Sequence, residues 1–324
     1  RLEQLAPLHT CRSKLARELL ILKKAREQAR SYRDLIIDKG IFMKLLRIGN
    51  KGQERPALLD NNGQLRDLSA VIPDIAGDSL SPQSIARLQE IDPSTLPLVQ
   101  GSPRIGACVG QVGKFICIGL NYADHAAETG AAIPAEPVVF SKWTSAIVGP
   151  DDDIEIPRNS RKTDWEVELG VVIGKGGRYI SESDALEHVA GYCVINDVSE
   201  REFQLELGGT WDKGKGCDTF GPLGPWLVTR DEIADPHQLD LWLEVDGKRY
   251  QNGNTRTMIF QIPKIISYLS QFMSLQPGDV ISTGTPPGVG LGIKPEPVYL
   301  RAGQTMRLGI SGLGEQQQRT VNAD

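Results

Sequence analysis

The chain of 324 residues is poor in the side chains that usually announce a site: it has five cysteines and four histidines. Cys11, Cys108, Cys117, Cys193 and Cys217 form no CxxC pair, which excludes a zinc ribbon or a redox pair of that spacing. Cys117 and Cys193 sit inside apolar runs, where cysteine acts as a small hydrophobe. An odd number of thiols without a framework fits a reducing compartment, so a cytoplasmic location is expected. There is no run of about 18 apolar residues, so no membrane-spanning helix is expected, and no secretory signal is visible. No GKS or GKT closes a glycine-rich loop and no GxGxxG opens a strand–helix unit, so a nucleotide cofactor is not expected. Internal repeats and low-complexity tracts are also missing. Basic charge is scarce outside residues 1–42, which hold ten Lys/Arg against five Asp/Glu, whereas the rest holds 26 against 36. An acidic body argues against a nucleic-acid-binding surface.

What is present suffices for a core: 40% of residues are hydrophobic and 24% charged, as in ordinary globular domains. Residues 11–37 read as a basic helix with Leu15, Leu19, Leu22 and Ala29 roughly on one face. The stretch "MKLLRIGNKG", from Met43, reads as the start of a fold. Residues 1–42 are therefore expected to be an extension outside the working fold; a targeting peptide is the rival, favoured by the basic bias and weakened by the five acids. Residues 43–112 are expected to form a small α+β domain. It would contain a hairpin turning at Asn62–Gly63, a helix capped at Ser81–Pro82 and a Pro-rich linker, "DPSTLPLVQGSPRIG". Over residues 113–324, short apolar runs recur between Gly, Pro and Asp, which suits a β-rich roll or barrel-like domain. Two helices are expected there, in "SESDALEHVAGY" and "PKIISYLSQFMSL".

Chemistry gathers in five stretches. In "DWEVELGVV", Glu166 and Glu168 are two apart on a strand and so share a face, although burying like charges unpaired is costly. Asp197 ends the apolar run "GYCVIND". Three carboxylates converging from strand ends would suit a hard divalent cation, Mg²⁺ first, with Mn²⁺ or Ca²⁺ open; the plainer alternative is a solvated glutamate pair and an unrelated aspartate. In "LNYADHAAETG", His125 and Glu128 are three apart, on one face of a helical turn. A glutamate beside a histidine holds its tautomer and makes a water-activating dyad, unless the two are a surface ion pair. In "DVSEREFQ", Arg201 and Gln204 follow Asp197 at i+4 and i+7, one helical face, and arginine grips carboxylates; a surface network with Glu200 and Glu202 is the alternative. Lys215, among the glycines of "DKGKGCDTFG", could stabilise an oxyanion or lie in a flexible basic loop. The loop "STGTPPGVG" offers Thr283, Thr285 and backbone N–H groups to a carboxylate.

Taken in order, "GLNYADH–xxE", "E–x–E–LG–VV–G", "NDVSER–xxQ", "K–G–x–D–T–F–x–P–x–G" and "STGTPPGVG" resemble the fumarylacetoacetate hydrolase superfamily, over residues from about 113 to 310. The resemblance implies a β-roll catalytic domain, a homodimer and a divalent metal, usually Mg²⁺, held by Glu166, Glu168 and Asp197. It also implies a water-activating pair, His125 and Glu128, on a lid. Substrate and oxyanion contacts are implied at Arg201, Gln204, Lys215 and Thr285, with Asn121 and Lys142 in the same pocket. Where fumarylacetoacetate hydrolases proper carry a fourth carboxylate, this chain has Asn121, which points to the acylpyruvase-like branch. Within it, "MKLLRIG" and "CDTFGPLGPWLVTRDEI" look like hydrolases of 2,4-diketo-3-deoxy sugar acids, which would yield pyruvate and a small hydroxy acid. Ureidoglycolate lyase, a decarboxylase or isomerase of the same scaffold, and a non-catalytic binding module are the alternatives.

Overall fold

The structure is a computed structural model that describes residues 43–130 and 132–324; the helix read over residues 11–37 lies outside the described residues. Two sheets dominate. The larger has ten strands. Its path runs Leu65–Asp67, Arg55–Leu59, Lys44–Ile48, Gly221–Thr229, Val189–Asn196, Val167–Ile173, Val280–Ser282, Phe115–Gly119, Val138–Lys142, and Ile147–Val148 pairs with Gly221–Thr229 off that path. The smaller has five: Lys248–Asn254, Asp240–Val245, Thr305–Ile310, Gly314–Asn322 and Ile154–Ile156. The turn at Asn62–Gly63 joins the strands Arg55–Leu59 and Leu65–Asp67, and the helix Pro82–Gln89 is capped by Ser81 Oγ, as the sequence indicates. The segment expected as a linker is bonded along its length, Val99 N to Leu65 O and Gly106 N to Arg47 O among others. The strand Lys44–Ile48 pairs directly with Gly221–Thr229, and residues 43–324 make one compact unit.

The strand Val167–Ile173 lies deep in the large sheet and is buried on both faces. Its alternation sorts two cores. Val167, Leu169, Val171 and Ile173 pack with Leu241, Leu243, Met306 and Leu308 of the small sheet. Val172 packs on the other side with Cys117, Cys193, Ile195 and Leu223. The face bearing Val172 also bears Gly170 and Glu168. A Cβ at Gly170 would fall 2.7 Å from Cys193 Sγ, so glycine lets the neighbouring strand close beneath the glutamates.

Two expected elements form differently. "SESDALEHVAGY" makes only one short turn, Ala185–His188, and then joins the strand Val189–Asn196. Val189, Tyr192, Val194 and Ile195 prefer the sheet. Gly191 passes so close to Val228 that a Cβ would lie 2.2 Å from its carbonyl oxygen. Asp197 does not share a helix with Arg201 and Gln204. It follows the strand end, Ser199–Glu200 pair with Thr163–Asp164, and the helix runs only over Arg201–Leu205. The expected C-terminal helix forms over Ile262–Phe272.

Candidate active site

Where the strand Val167–Ile173 begins, it meets the ends of two others. The backbone N–H of Asp197 donates to Glu166 O at 2.9 Å, which holds the chain after Val189–Asn196 against the glutamates. Oxygens of Glu166, Glu168 and Asp197 all lie within 4.8 Å of one another, and all three residues are buried. Lys215 stands between them, its Nζ donating to Glu166 Oε2 at 2.6 Å and to Asp197 Oδ2 at 2.9 Å. A single helical turn, Asp212–Lys215, carries it, in place of the flexible loop that was the alternative. Arg201 donates to Glu166 Oε1 at 2.7 Å and to Asp164 Oδ2 at 2.8 Å, and its NH1 reaches Gln204 Oε1 at 3.1 Å.

The charges do not balance. Asp164, Glu166, Glu168 and Asp197 bring four carboxylates; Lys142, Arg201 and Lys215 bring three cations. Glu168 is the one without an ion-pair partner among the described residues, and it accepts only from Ser282 Oγ at 2.6 Å and Gly284 N at 2.8 Å. Burial, then repulsion from Asp197 and Glu166, pushes its carboxyl well above the usual range. Burial pushes Glu166 the same way, but Lys215 and Arg201 outweigh it and hold that carboxyl well below the usual range. Lys215 is raised: burial opposes its charge, and Asp197 and Glu166 more than compensate. An oxygen-only donor set with one uncompensated negative charge fits a divalent cation.

The helix Ala123–Thr129 brings the dyad together. Glu128 Oε2 lies 3.2 Å from His125 Nδ1, and His125 is buried, so the pair is not a solvated surface contact. Gly288 N donates to both Glu128 oxygens at 3.1 Å. Burial works against ionisation of Glu128, yet the His125 and Gly288 hydrogen bonds keep its carboxyl below the usual range. His125, Glu166, Glu168, Arg201, Gln204, Lys215 and Thr285 line one cavity of about 200 Å³. Its other wall is apolar, with Ile118, Phe140, Leu205 and Trp211. The Trp211 ring reaches this wall because Gly119 has no Cβ; one there would lie 2.5 Å from the indole. Phe140 meets Trp211 edge-on at 5.2 Å.

Two expected pocket residues stand elsewhere. Asn121 does not line the cavity: its amide donates to Phe260 O and Thr283 O and accepts from Phe260 N, all within 3.0 Å, and so pins two loops. Lys142 reaches Asp197 Oδ1 at 2.5 Å while bordering a second hollow beside Trp143 and Met273. Thr283 bonds to Leu169 O. Sequence reasoning missed Asp164, Ser282, Trp211 and Gln251. Asp164 precedes the glutamates directly and could have been found there; Gln251, on a distant strand, gave no signal. Gln251 is fully buried; it accepts from Val167 N at 2.9 Å and donates to Thr285 Oγ1 and Pro286 O at 2.8 Å. Gln251→Leu orphans these groups at about 1–3 kcal/mol each. A loss of roughly 3 kcal/mol or more in urea unfolding is expected, and a loss below about 1 kcal/mol would remove Gln251 from this role.

Residues 114–321 match the family model of the fumarylacetoacetate hydrolase C-terminal domain. The chain belongs to the fumarylacetoacetate hydrolase family. A protein of Burkholderia ambifaria, provisionally named a hydrolase, is 70% identical over 281 residues, covering 87% of this chain and all of the relative. The solved fumarylacetoacetate hydrolase of psychrophilic Exiguobacterium antarcticum is 37% identical with a TM-score of 0.76, over 87% of this chain and all of that one. A maleylpyruvate hydrolase from Sphingobium sp. SYK-6, solved with manganese(II) and pyruvate, is 29% identical with a TM-score of 0.72 over the same shares. A 5-carboxymethyl-2-hydroxymuconate delta-isomerase from Mycobacterium smegmatis is 31% identical with a TM-score of 0.67, again over 87% and 100%. The family thus spans hydrolases and isomerases, and among the described residues no helix is long and apolar enough to cross a membrane.

Proposed function

We propose that the protein is a divalent-metal-dependent hydrolase that splits the C3–C4 bond of a 2,4-diketo acid, in the first instance a 2,4-diketo-3-deoxy sugar acid, into pyruvate and a hydroxy acid. The observation that carries this reading is the His125–Glu128 pair, closed at 3.2 Å, with His125 in the same cavity as Glu166 and Glu168, whose oxygens lie within 4.8 Å of those of Asp197. Glu166, Glu168 and Asp197 would hold the cation, Mg²⁺ first and Mn²⁺ or Ca²⁺ as alternatives. When bound, it supplies Lewis-acid charge to the carboxylate and 2-oxo end of the substrate.

The chain's own groups do the rest. Arg201 and Gln204 hold the acid end, with Thr285 beside them. Glu128 at Nδ1 sets the His125 tautomer so that Nε2 takes a proton from water, and hydroxide adds to C4. As C3–C4 breaks, the electron pair goes to the three-carbon fragment, which is reprotonated at C3. The ammonium of Lys215 stands between Glu166 and Asp197, where it offsets that developing charge. The acyl tail runs along Ile118, Phe140, Leu205 and Trp211, a wall that favours a tail presenting carbon rather than charge. Water activation is what separates this reading from the isomerases and decarboxylases, which need no added water. A homodimer in the cytoplasm remains part of the proposal.

The test is a pyruvate-release screen of purified protein with Mg²⁺ or Mn²⁺, and with EDTA, across diketo sugar acids, acylpyruvates, oxaloacetate and ureidoglycolate. Release of pyruvate and an acid from a diketo compound, abolished by EDTA, is expected. Glyoxylate and urea from ureidoglycolate, or decarboxylation of oxaloacetate alone, would overturn it.

A further inference from the structure

Asp164 is fully buried, with no access to the cavity, yet it accepts more hydrogen bonds than any metal-site carboxylate. Its Oδ1 takes the N–H of Trp165 at 2.8 Å and of Gly290 at 2.6 Å. Its Oδ2 takes the N–H of Leu291 at 2.9 Å and the Nε of Arg201 at 2.8 Å, with Arg201 NH2 also at 2.8 Å. One carboxylate therefore grips two things at once: the guanidinium that meets Glu166, and the short turn Gly290–Gly292.

That turn is also where the helix Ala123–Thr129 docks. Gly288 N binds the Glu128 carboxylate, and a Cβ on Gly292 would lie 2.9 Å from it. Gly290 cannot be otherwise, because a Cβ there would fall 2.0 Å from Val298 O and 2.7 Å from Asp164 Oδ1. A continuous path of charge-assisted hydrogen bonds thus runs from Glu166 through Arg201, Asp164 and the 288–292 loop to Glu128 and His125.

We propose that Asp164 is a positioning residue that couples the two ends of the site: it presents the loop that receives Glu128, and it orients Arg201. Closure of the helix Ala123–Thr129 and the grip on the substrate's acid end then depend on the same buried carboxylate. A carboxylate is required because all of its contacts are donors. Asn would keep one accepting oxygen, and would set its NH₂ either against both the Leu291 N–H and the Arg201 guanidinium or against the Trp165 and Gly290 N–H groups. The coupling rests on the site reading above only in taking that helix as a lid, and exchange can be read without turnover.

Amide hydrogen exchange on the full-length protein tests it. In Asp164→Asn, residues 123–129 and 288–291 should exchange about tenfold faster or more, as loss of charge-assisted bonds implies. The strands Asp240–Val245 and Thr305–Ile310 should keep their protection, which separates local release from unfolding. Glu128→Ala should speed exchange at 123–129 to a similar degree. The double variant should be no faster than the faster single, since both cut one path. Pyruvate binding to the Mn²⁺-loaded protein, followed by calorimetry, should weaken about tenfold in Asp164→Asn and stay within about twofold in Glu128→Ala, because only Asp164 also holds Arg201. Unchanged exchange at 123–129, additive effects in the double variant, or unchanged pyruvate binding in Asp164→Asn would overturn the coupling. Should Asp164→Asn fail to fold, Glu128→Ala alone decides: faster exchange at Gly288 without any change at Gly290 and Leu291 would equally overturn it.

Discussion

Glu168→Gln is expected to abolish metal-dependent turnover and, in the metal-free protein, to raise the melting temperature. The two effects share one cause. Glu166 is met by Arg201 and Lys215, and Asp197 by Lys142 and Lys215, but no cation pairs with Glu168 among the described residues. Burial and then the neighbouring Asp197 and Glu166 lift its carboxyl well above 4.5. A carboxyl whose folded pKa exceeds its unfolded value adds its full stability below the unfolded pKa and loses it as pH rises through the folded one. At pH 7 to 8 the metal-free wild type therefore carries a burden that a glutamine lacks, and the glutamine oxygen can still accept from Ser282 and Gly284. The gap between variant and wild type should shrink as pH falls toward 5. Metal inverts the order. At a metal concentration of a thousand times Kd, the wild type gains about 4 kcal/mol, and the variant should gain almost none. Turnover should fall on the order of a thousandfold, from several kcal/mol of lost charge stabilisation. Full activity of the wild type in EDTA, or a wild-type-sized metal shift in Glu168→Gln, would sink the metal assignment.

Why the acids could be read from the sequence, and their supports could not, follows from where each constraint lies. Glu166, Glu168, His125 and Glu128 are set by local periodicity: two apart on a strand, three apart on a helix. Local rules place such pairs on one face without any knowledge of the rest. Asp197 came from its position at the end of an apolar run, and its link to the glutamates is a pairing between strands some thirty residues apart in the chain. The helical register drawn from Asp197 to Gln204 failed because Ser199–Glu200 pair with Thr163–Asp164 first. The helix read over residues 181–192 failed for a related reason, since pairing with Val167–Ile173 outweighs a good helical start. Gln251 and Trp211 act across 84 and 92 residues, on Val167 N and against Gly119, and no spacing rule reaches that far. Asn121 shows the converse: its motif position suggested the pocket, but its amide is spent on backbone groups of two loops.

His125→Ala is expected to cut turnover by about 10² to 10⁴, the usual worth of a positioned proton acceptor, while leaving the metal-induced melting shift intact. His125 joins the cavity from the helix Ala123–Thr129, apart from the strands at whose ends Glu166, Glu168 and Asp197 lie. Its removal therefore takes away proton transfer and not the cation's seat, so kcat should fall far more than KM changes. Glu128→Gln should cost less, because it weakens the hold on the imidazole but leaves the imidazole present. Burial opposes the charge on Glu128, yet His125 and Gly288 keep its carboxyl below 4.5. It stays ionised down to that range, so loss of rate between pH 7 and 5 should not belong to Glu128, and Glu128→Gln should leave that limb of the profile in place. The variant also discriminates between reaction types. A decarboxylase acting at this site needs no hydroxide at C4, so its turnover would not depend on water activation by His125. If purified His125→Ala releases pyruvate at the wild-type rate, water activation by the dyad is wrong.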